Sequence, residues 1–367
     1  MTIVIVGLSI TSSWGNGHAT TYRSLVRGLA ARGHDVLFLE RDVPWYAEHR
    51  DLAAPAYCRV GLYGEVTELN SRYGGAIAAA DAVIVGSYVP DGVVAAGIVL
   101  RLARGGTAFY DIDTPVTLSA LARGVETYVT PAQVRAFDVY LSFTGGPVLR
   151  RLERDFGARQ ARALYCSVDI DAYRPVDGEP QRDLTYLGTY SADRQPTLER
   201  LLIATARQWR VGRFAVGGPQ YPEDIVWPAN VERFDHVPPR DHAAFYGTGR
   251  FTLNVTRQDM IASGFAPSVR LFEAAACGVP VISDAWPGLD TFFAPGREIL
   301  LAGRTSDVLA HLHTSDTDRL ALGSRARNRV LLSHTGLQRA RELEEILAGT
   351  SPRQPRPQRI VAATEQA

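Results

Sequence analysis

Residues 266–284 read APSVRLFEAAACGVPVISD, a pattern that predicts a short helix followed by a buried strand. Pro267 suits the start of a helix, and the apolar positions after it are spaced to form one packed face. Gly278 suits the end of the helix, because a glycine adopts positive φ at little cost. The carboxylate of Glu273 lies within this helix of small residues. We therefore expect Glu273 to have a role other than solvating a surface.

The first half of the chain alternates strand-length apolar runs with helical patterns. Runs that are apolar throughout are typical of parallel strands covered on both faces, and they lie at residues 3–7, 36–39, 82–86, 107–110 and 139–143. Helices are predicted at residues 18–32, 91–104 and 147–156. Repeated strand–helix–strand units predict a doubly wound domain.

The same pattern restarts after a strand predicted at residues 162–168. Further strands are predicted at residues 184–188, 213–217, 231–234, 251–255, 279–283 and 298–301. Helices are predicted at residues 195–209, 240–246, 268–277, 307–313, 316–333 and 336–347. This half of the chain is therefore expected to form a second doubly wound unit.

We predict an α/β fold in which two Rossmann-like domains face a central cleft. The first domain would span residues 1–168 and the second residues 183–334, joined by a polar, proline-containing linker at 169–182. A C-terminal helix at 335–349 and a disordered tail rich in proline and arginine at 350–367 would follow. Ligands of such folds bind beyond the carboxyl ends of the strands, so the cleft is the expected site.

The composition excludes several functions. The 39 basic and 39 acidic residues give a net charge of 0, so there is no general attraction to nucleic acid or anionic lipid. Every basic residue is an arginine, which excludes lysine Schiff bases, pyridoxal phosphate and the Walker A lysine. The 3 cysteines are far apart and have no metal-binding spacing. A phosphate site would therefore use arginines, backbone N–H groups or helix N-termini.

The sequence gives no sign of a membrane segment. Its first residues, MTIVIVG, predict a strand and have neither the basic region nor the cleavage site of a signal peptide. The longest apolar stretch, at residues 76–100, is interrupted by Asp81, Pro90 and Asp91. We expect a cytoplasmic protein with no integral membrane segment.

The quoted stretch resembles the donor-binding helix of GT-B glycosyltransferases, where a FEAxAxGxPVI segment holds a nucleotide sugar. Residues 167–175 (SVDIDAYRP) are similar to the GVDxxxFxP segment between the two domains of that superfamily. Residues 287–300 (PGLDTFFAPGREIL) are similar to its closing GxxxxxxxGxE segment. The resemblance implies a hexosyltransferase-like enzyme with the GT-B fold.

Within GT-B, the chain most resembles the CgeB-like, spore-maturation-type branch. This likeness includes residues 11–23 (TSSWGNGHATTYR) and 109–115 (FYDIDTP), and the whole resemblance covers about residues 1–348. It implies transfer of a sugar from a nucleoside-diphosphate donor to a hydroxyl-bearing or protein acceptor. The nucleotide sugar would be a substrate, and no metal or other cofactor is expected.

The resemblance assigns donor-binding roles around the quoted helix. Glu273 would accept hydrogen bonds from the ribose hydroxyls, as a charge-assisted pair. The superfamily has a glutamate eight residues earlier that touches the sugar, but this sequence has Phe265 there, so recognition of the sugar must differ. Backbone N–H groups of Gly264, Phe265, Ala266 and Ser268 could face the sugar or the diphosphate at the helix N-terminus.

Two arginines and one loop complete the expected donor site. Residues 187–194 (LGTYSADR) form a strand end, a loop and a helix start, where the superfamily places a basic residue on the diphosphate. Arg194 is therefore the candidate, and Arg270 is a second one, since an arginine fork stabilises the charge of the leaving diphosphate. The loop at residues 235–239 resembles the backbone site for the nucleobase, which His236 and Val237 would line.

Candidate catalytic residues come from the first domain. Gly15, Asn16 and Gly17 lie in the loop after the first strand, where glycines permit close backbone approach. His18 begins the next helix, whose positive N-terminus favours a neutral imidazole that could act as a base. Asp111 and Asp113 follow another strand, and either could activate an acceptor hydroxyl.

Three other functions stay open on the sequence alone. A dinucleotide-dependent oxidoreductase is disfavoured, because the loop after the first strand has two of three fingerprint glycines and is too long for that turn. A GT-B-fold epimerase acting on a nucleotide sugar is closer to the pattern. A non-catalytic nucleotide-sugar-binding protein is the third possibility, because the sugar-binding glutamate is replaced by Phe265.

Overall fold

The computed structural model describes residues 1–14, 17–125 and 127–350, so the predicted tail at 350–367 lies outside the described residues except for its first residue. The described chain forms two α/β units, each built on one parallel sheet. No helix among these residues is long and apolar enough to cross a membrane. The predicted fold class, two doubly wound Rossmann-like domains, is confirmed.

The first domain has a seven-stranded sheet with helices on both faces. Its strands are β1 Thr2–Gly7, β2 Asp35–Arg41, β3 Arg59–Tyr63, β4 Ala82–Gly86, β5 Gly106–Asp111, β6 Val139–Ser142 and β7 Ala161–Ala163. Its helices are α1 Gly17–Ala31, α2 Pro44–Ala47, α3 Glu68–Ser71, α4 Gly74–Ala79, α5 Gly92–Leu102, α6 Thr114–Ala122, α7 Pro131–Ala136 and α8 Pro147–Asp155. The parallel strands run in the order β3-β2-β1-β4-β5-β6-β7, so the direction of winding reverses between β1 and β4.

The second domain has a six-stranded parallel sheet in the order β10-β9-β8-β11-β12-β13. Its strands are β8 Arg182–Leu187, β9 Phe214–Gly217, β10 Val231–Phe234, β11 Gly249–Asn254, β12 Val281–Ser283 and β13 Leu300–Leu301. Its helices are α9 Gln195–Leu198, α10 Ala204–Gln208, α11 His242–Gly247, α12 Gln258–Ser263, α13 Val269–Ala276, α14 Thr305–Leu312 and α15 Asp316–Ser333, and α16 Gly336–Ala348 follows them. A π-helical turn at Glu199–Ile203 joins α9 to α10, and short 3-10 turns lie at Pro239–Asp241 and Leu289–Thr291.

The strands that differ from the sequence prediction lie at the sheet edges. The apolar pattern does not predict β3, whose residues alternate in burial around Gly61. The strands predicted at residues 162–168 and 298–301 are shorter in the structure, where β7 has three residues and β13 has two. An edge strand pairs with one neighbour, so its length follows that single pairing more than its own apolar pattern.

Apolar side chains cover both faces of each sheet. In β1, Val4 and Val6 belong to one core cluster while Ile3 and Ile5 belong to the cluster on the opposite face. This alternation follows from the period of two of a strand. The second sheet is covered in the same way, with Ala215 and Val216 of β9 in different clusters. Both sheets are thus rigid platforms for the loops at their carboxyl ends.

The last helix of the chain returns to the first domain. Leu343 and Leu347 of α16 lie in the core cluster that also contains Leu25 of α1. The backbones of the two helices approach closely at two glycines, since a Cβ on Gly28 would lie 2.2 Å from the carbonyl oxygen of Gly336. The helix therefore fixes α1, and α1 begins at the cleft.

We predict that Gly28→Ala lowers the free energy of unfolding by about 1–3 kcal/mol, because the added methyl group overlaps backbone that cannot move without shifting α16. Gly75→Ala is the matched control. Gly75 lies near the exposed start of α4 with nothing within 4 Å of the added Cβ, so alanine should raise stability by up to about 1 kcal/mol. Urea unfolding of the three proteins measures both effects. Equal stability of Gly28→Ala and the parent chain would contradict the close packing.

Candidate active site

A cavity of about 590 Å³ lies between the two domains at the carboxyl ends of their strands. The second domain supplies most of its wall, from the loops after β8, β9 and β10 and from the start of α13. The first domain supplies the opposite rim, formed by Ser13, Trp14, Gly17, Thr20 and Trp45. The cavity has the size and position expected of a small-molecule site in a doubly wound fold.

The helix singled out in the sequence directs its first turns into this cavity. Ser268 is the N-cap of α13, which starts at Val269, one residue later than the helix predicted at residues 268–277, and Gly278 ends the helix with φ of +74°. Ser268, Val269, Arg270 and Glu273 all line the cavity. Residues three apart lie on the same face of a helix, so one helix presents a cation and a carboxylate together.

Glu273 is buried and is held by a tyrosine of α11. The Tyr246 hydroxyl donates a hydrogen bond of 3.1 Å to Oε2 of Glu273. Burial and the charge of Glu273 both raise the pKa of Tyr246 well above its ordinary value, so this hydroxyl stays a donor. Glu273 thus has one oxygen fixed by the protein and still lines the cavity.

A second set of polar contacts supports this carboxylate from behind. Nε2 of His242 lies 3.0 Å from the Val237 carbonyl oxygen, which makes this nitrogen the donor. Nδ1 of His242 then accepts a hydrogen bond of 3.1 Å from the Tyr173 hydroxyl. Tyr173 comes from the interdomain segment, and its pKa is raised by burial and by the charge of Glu273. No local pattern in the sequence predicts a role for Tyr173, Tyr246 or His242.

Arg270 is buried against the carboxyl ends of two strands. Its guanidinium donates to the Leu187 carbonyl oxygen and, at 3.0 Å, to Oδ1 of Asn254. It also lies 5.1 Å from the centre of the Tyr186 ring. Gly188 leaves the space for this group, because a Cβ there would lie 2.7 Å from Nη2 of Arg270. The arginine is therefore rigidly placed at the cavity wall.

Arg194 reaches the same wall from the start of α9. Its Nη2 donates a hydrogen bond of 2.6 Å to the Thr189 carbonyl oxygen. Its buried Nε has no hydrogen-bond partner among the described residues. Its pKa is lowered by burial and then by the positive charges of Arg270 and Arg257. Within the described ranges, neither Arg194 nor Arg270 forms an ion pair with a carboxylate. This wall therefore carries two guanidinium groups that no described carboxylate contacts directly.

Arg257 is a third cation that the sequence did not single out. It precedes α12, and its charge acts on Arg194 and Asp193 in the second domain. It also acts on Asp113 in the first domain, where its charge opposes the rise in pKa that burial causes. Arg257 thus lies where the two domains meet, a position that follows from tertiary structure and not from any local motif.

The loop before α13 is arranged differently from the prediction. The amide of Gly264 donates to the Met260 carbonyl oxygen at 2.9 Å, and the amide of Phe265 donates to the Pro287 carbonyl oxygen at 2.7 Å. These two N–H groups are therefore occupied and do not face a sugar or a diphosphate. Gly264, Phe265 and Ala266 are also not among the cavity-lining residues, whereas Ser268 is.

Phe265 instead connects the two domains. It has a positive φ of 47°, and its carbonyl oxygen accepts a hydrogen bond of 3.0 Å from the Gly145 amide in the first domain. Its ring fits against two glycines, since a Cβ on Gly146 or on Gly288 would lie within 2.3 Å or 2.5 Å of it. The residue at the position of the missing glutamate thus makes an interdomain contact.

The predicted nucleobase loop lines the cavity. His236 and Val237 follow β10, and both are in its wall. The His236 ring lies 5.3 Å from the indole of Trp14, which belongs to the first domain. Gln220, in the loop after β9, also lines the cavity and has a positive φ of 69°. Strained backbone of this kind concentrates at functional sites.

Asp111 is unsuited to the role of base that the sequence suggested. It is fully buried at the end of β5, and it accepts hydrogen bonds from the hydroxyls of Tyr140 at 2.5 Å and Thr117 at 2.9 Å. The amide of Asp113 donates to it at 3.2 Å. Burial raises its pKa to about 6. Through these contacts Asp111 stabilises the start of α6. It has no exposed surface that an acceptor could reach.

Asp113 and His18 come together through a tyrosine. The Tyr88 hydroxyl donates a hydrogen bond of 3.0 Å to Oδ2 of Asp113. Its ring packs edge-on against the His18 imidazole, with the ring centres 5.2 Å apart. Tyr88 has a positive φ of 61°, a strained conformation for a tyrosine. Burial raises the pKa of Asp113 and lowers the pKa of His18 to about 4. The imidazole is therefore neutral at pH 7, as expected, although burial is the cause.

The predicted cleft loop is described only in part. Gly17 begins α1 and lines the cavity. Gly15 and Asn16 lie outside the described residues.

Much of the second domain matches a known protein family. Residues 194–345 match a family model described as glycosyl transferase-like, a region that includes Arg194, Arg270 and Glu273. A search of curated proteins finds no sequence that matches the chain.

Solved structures share the fold of both domains. Sucrose-phosphate synthase from Thermosynechococcus elongatus superposes with a TM-score of 0.66 at 14% identity, covering 95% of this chain and 98% of that one. HepE from Anabaena, solved with UDP and glucose, superposes with a TM-score of 0.66 at 13% identity, covering 95% of this chain and 99% of that one. The catalytic domain of starch synthase IV from Arabidopsis thaliana, bound to ADP and acarbose, superposes with a TM-score of 0.67 at 10% identity. The match covers 95% of this chain and 98% of that one.

Identities this low establish the fold and no finer property. The chain therefore has the two-domain fold of the GT-B glycosyltransferase superfamily, and its residues 194–345 form a glycosyl transferase-like region.

Proposed function

We propose that this protein transfers a sugar from a nucleoside-diphosphate donor to a hydroxyl-bearing or protein acceptor, without a metal ion. The observation that carries the proposal is a pair of arginines without carboxylate partners, the buried Arg270 and the half-buried Arg194, beside the carboxylate of Glu273. A nucleoside diphosphate offers what this wall lacks, two negative phosphates next to a pair of ribose hydroxyls. Assignment to the CgeB-like branch is part of the proposal.

The arginines would serve both binding and catalysis. A departing nucleoside diphosphate gains negative charge as the bond to the sugar breaks, and fixed guanidinium groups stabilise that charge without reorganising. Arg270 is already held by Leu187 and Asn254, so it is preorganised. HepE and starch synthase IV, which share the fold, were solved with UDP and with ADP, respectively.

Asp113 is our proposed base for the acceptor hydroxyl. A general base works best when its pKa is close to the working pH. The raised pKa of Asp113 moves it in that direction, whereas a pKa of about 4 makes the imidazole of His18 a weak base. We assign His18 to the wall beside Tyr88, where it limits the access of water to this carboxylate.

Phe265 favours one alternative, a protein that binds a nucleotide sugar without turning it over. The glutamate that touches the sugar in the superfamily is absent, and Phe265 connects the domains instead. Incubation with UDP-, ADP-, GDP- and TDP-sugars separates the two functions. Slow hydrolysis of one donor supports an enzyme, and tight binding with no hydrolysis or transfer supports the alternative.

We predict that Arg194→Gln weakens binding of a nucleoside diphosphate by about 10- to 150-fold, the loss of one charge-assisted hydrogen bond of about 1.5–3 kcal/mol. The unliganded variant should be at least as stable as the parent, because a half-buried guanidinium no longer lies close to the positive charges of two others. Isothermal titration and thermal unfolding measure the two quantities.

Arg207→Gln is the matched control, since Arg207 pairs with Glu199 on the surface and should not affect binding. If Arg194→Gln binds nucleoside diphosphates as tightly as the parent chain does, Arg194 is not part of the donor site.

We predict that Asp113→Asn lowers kcat by about 10²- to 10⁴-fold, the usual contribution of a general base, while the affinity for the donor is retained. In the parent enzyme, kcat/KM should fall as pH falls through the pKa of Asp113, because the base is then protonated. This acidic limb should be missing from Asp113→Asn. Initial rates between pH 4 and pH 9 with an identified donor measure the effect.

His18→Gln is the comparison that can contradict the assignment. It should reduce kcat less than Asp113→Asn and leave the acidic limb in place. A larger loss in His18→Gln, with near-normal turnover of Asp113→Asn, would make His18 the base instead.

A further inference from the structure

An aromatic platform on the first domain has no role in the function described so far. The indole of Trp14 stacks on the imidazole of His49, with ring centres 4.5 Å apart and planes inclined by 15°. His49 in turn accepts a hydrogen bond at its carbonyl oxygen from the Ser12 hydroxyl at 2.8 Å. Trp14 is nevertheless 41% exposed, and it lines the cavity. A large apolar ring is thus held open towards the site.

The platform is fixed to the first domain by charged hydrogen bonds. The amide and the hydroxyl of Ser13 donate to the two carboxylate oxygens of Asp51 at 3.0 and 2.7 Å. Arg23 of α1 donates to both oxygens of the same carboxylate, at 3.0 and 2.6 Å. Arg23 also donates to the Ile10 carbonyl oxygen at 2.8 Å. The residue before Trp14 is therefore anchored to α1.

Opposite Trp14 lies the loop expected to hold the nucleobase. The ring of His236 is 5.3 Å from the indole and inclined by 51°, so the two rings form a wedge at the edge of the cavity. Contacts connect this loop to Glu273, because His242 contacts the Val237 carbonyl oxygen and lies edge-on to Tyr246, which donates to Glu273. The arginines, the carboxylate and the wedge thus follow the order of phosphate, ribose and base in a nucleotide.

We propose that Trp14 stacks on the nucleobase of the donor, so that nucleotide binding uses a residue from each domain. The inference rests on the proposed function. Every base has a flat π face, and an exposed indole that is already stacked on one ring can receive another at little cost in conformational entropy. Such stacking tolerates different bases, so Trp14 adds affinity while the loop after β10 sets the choice of base.

The stack also has a consequence for the two domains. The phosphate-binding arginines belong to the second domain and Trp14 belongs to the first, so one nucleotide contacts both. Bound nucleotide should therefore hold the domains together across the cavity.

The test compares ligands with and without a base. UDP and ADP should bind Trp14→Ala about 5- to 150-fold more weakly than the parent chain, the usual effect of removing one stacking residue. Inorganic pyrophosphate, which has no base, should bind both proteins equally well. Trp14→Phe should retain most of the affinity, because a phenyl ring still stacks.

Tryptophan fluorescence gives a second readout. Both nucleotides should quench the parent chain, the quenching in Trp14→Phe should fall to what Trp45 on the same rim contributes, and pyrophosphate should quench neither. Trp209→Phe is the matched control, since Trp209 stacks on His313 and does not line the cavity. It should keep both the affinity and the quenching.

Unchanged nucleotide affinity in Trp14→Ala would overturn the stacking proposal and leave the arginine site intact. An equal loss for pyrophosphate and nucleotides would also overturn it, because the substitution would then have distorted the site. Loss of acceptor binding alone would assign Trp14 to the acceptor. If no nucleoside diphosphate binds the parent chain, both this inference and the proposed function are wrong.

Discussion

Positive charge buried without a carboxylate partner is the constraint on which the site depends. Transfer of a guanidinium from water into a protein is unfavourable unless another charge or a set of hydrogen bonds replaces the water. Arg270 is held by one carbonyl and one amide oxygen, while Arg194 has a buried nitrogen with no partner in the described chain. The missing negative charge is therefore expected to come from a ligand.

The fold explains why these groups meet. Parallel strands end at one edge of the sheet, so the loops after β8 and β9 and the N-terminus of α13 share one wall. Gly188 allows the Arg270 guanidinium to lie against the strand end. In the first domain, Asp113 experiences the charge of Arg257 across the domain boundary.

The sequence predicted the parts of the site that lie within single segments. Arg270 and Glu273 share one helix whose start and end follow from local patterns, and Arg194 follows a strand end. The sequence did not predict roles for Trp14, Tyr88 and Tyr246, because each of these side chains contacts a residue that is far away in the chain. Phe265 shows the opposite failure, since a local motif suggested a sugar contact whereas packing against Gly146 of the other domain decides its position.

The most direct measurement of this account is a crystal structure of the chain with a bound nucleoside diphosphate. We expect phosphate oxygens at about 2.7–3.2 Å from the guanidinium nitrogens of both Arg194 and Arg270, and a ribose hydroxyl donating to Glu273. A nucleotide bound elsewhere, or one in this cavity whose phosphates contact neither arginine, would contradict the account.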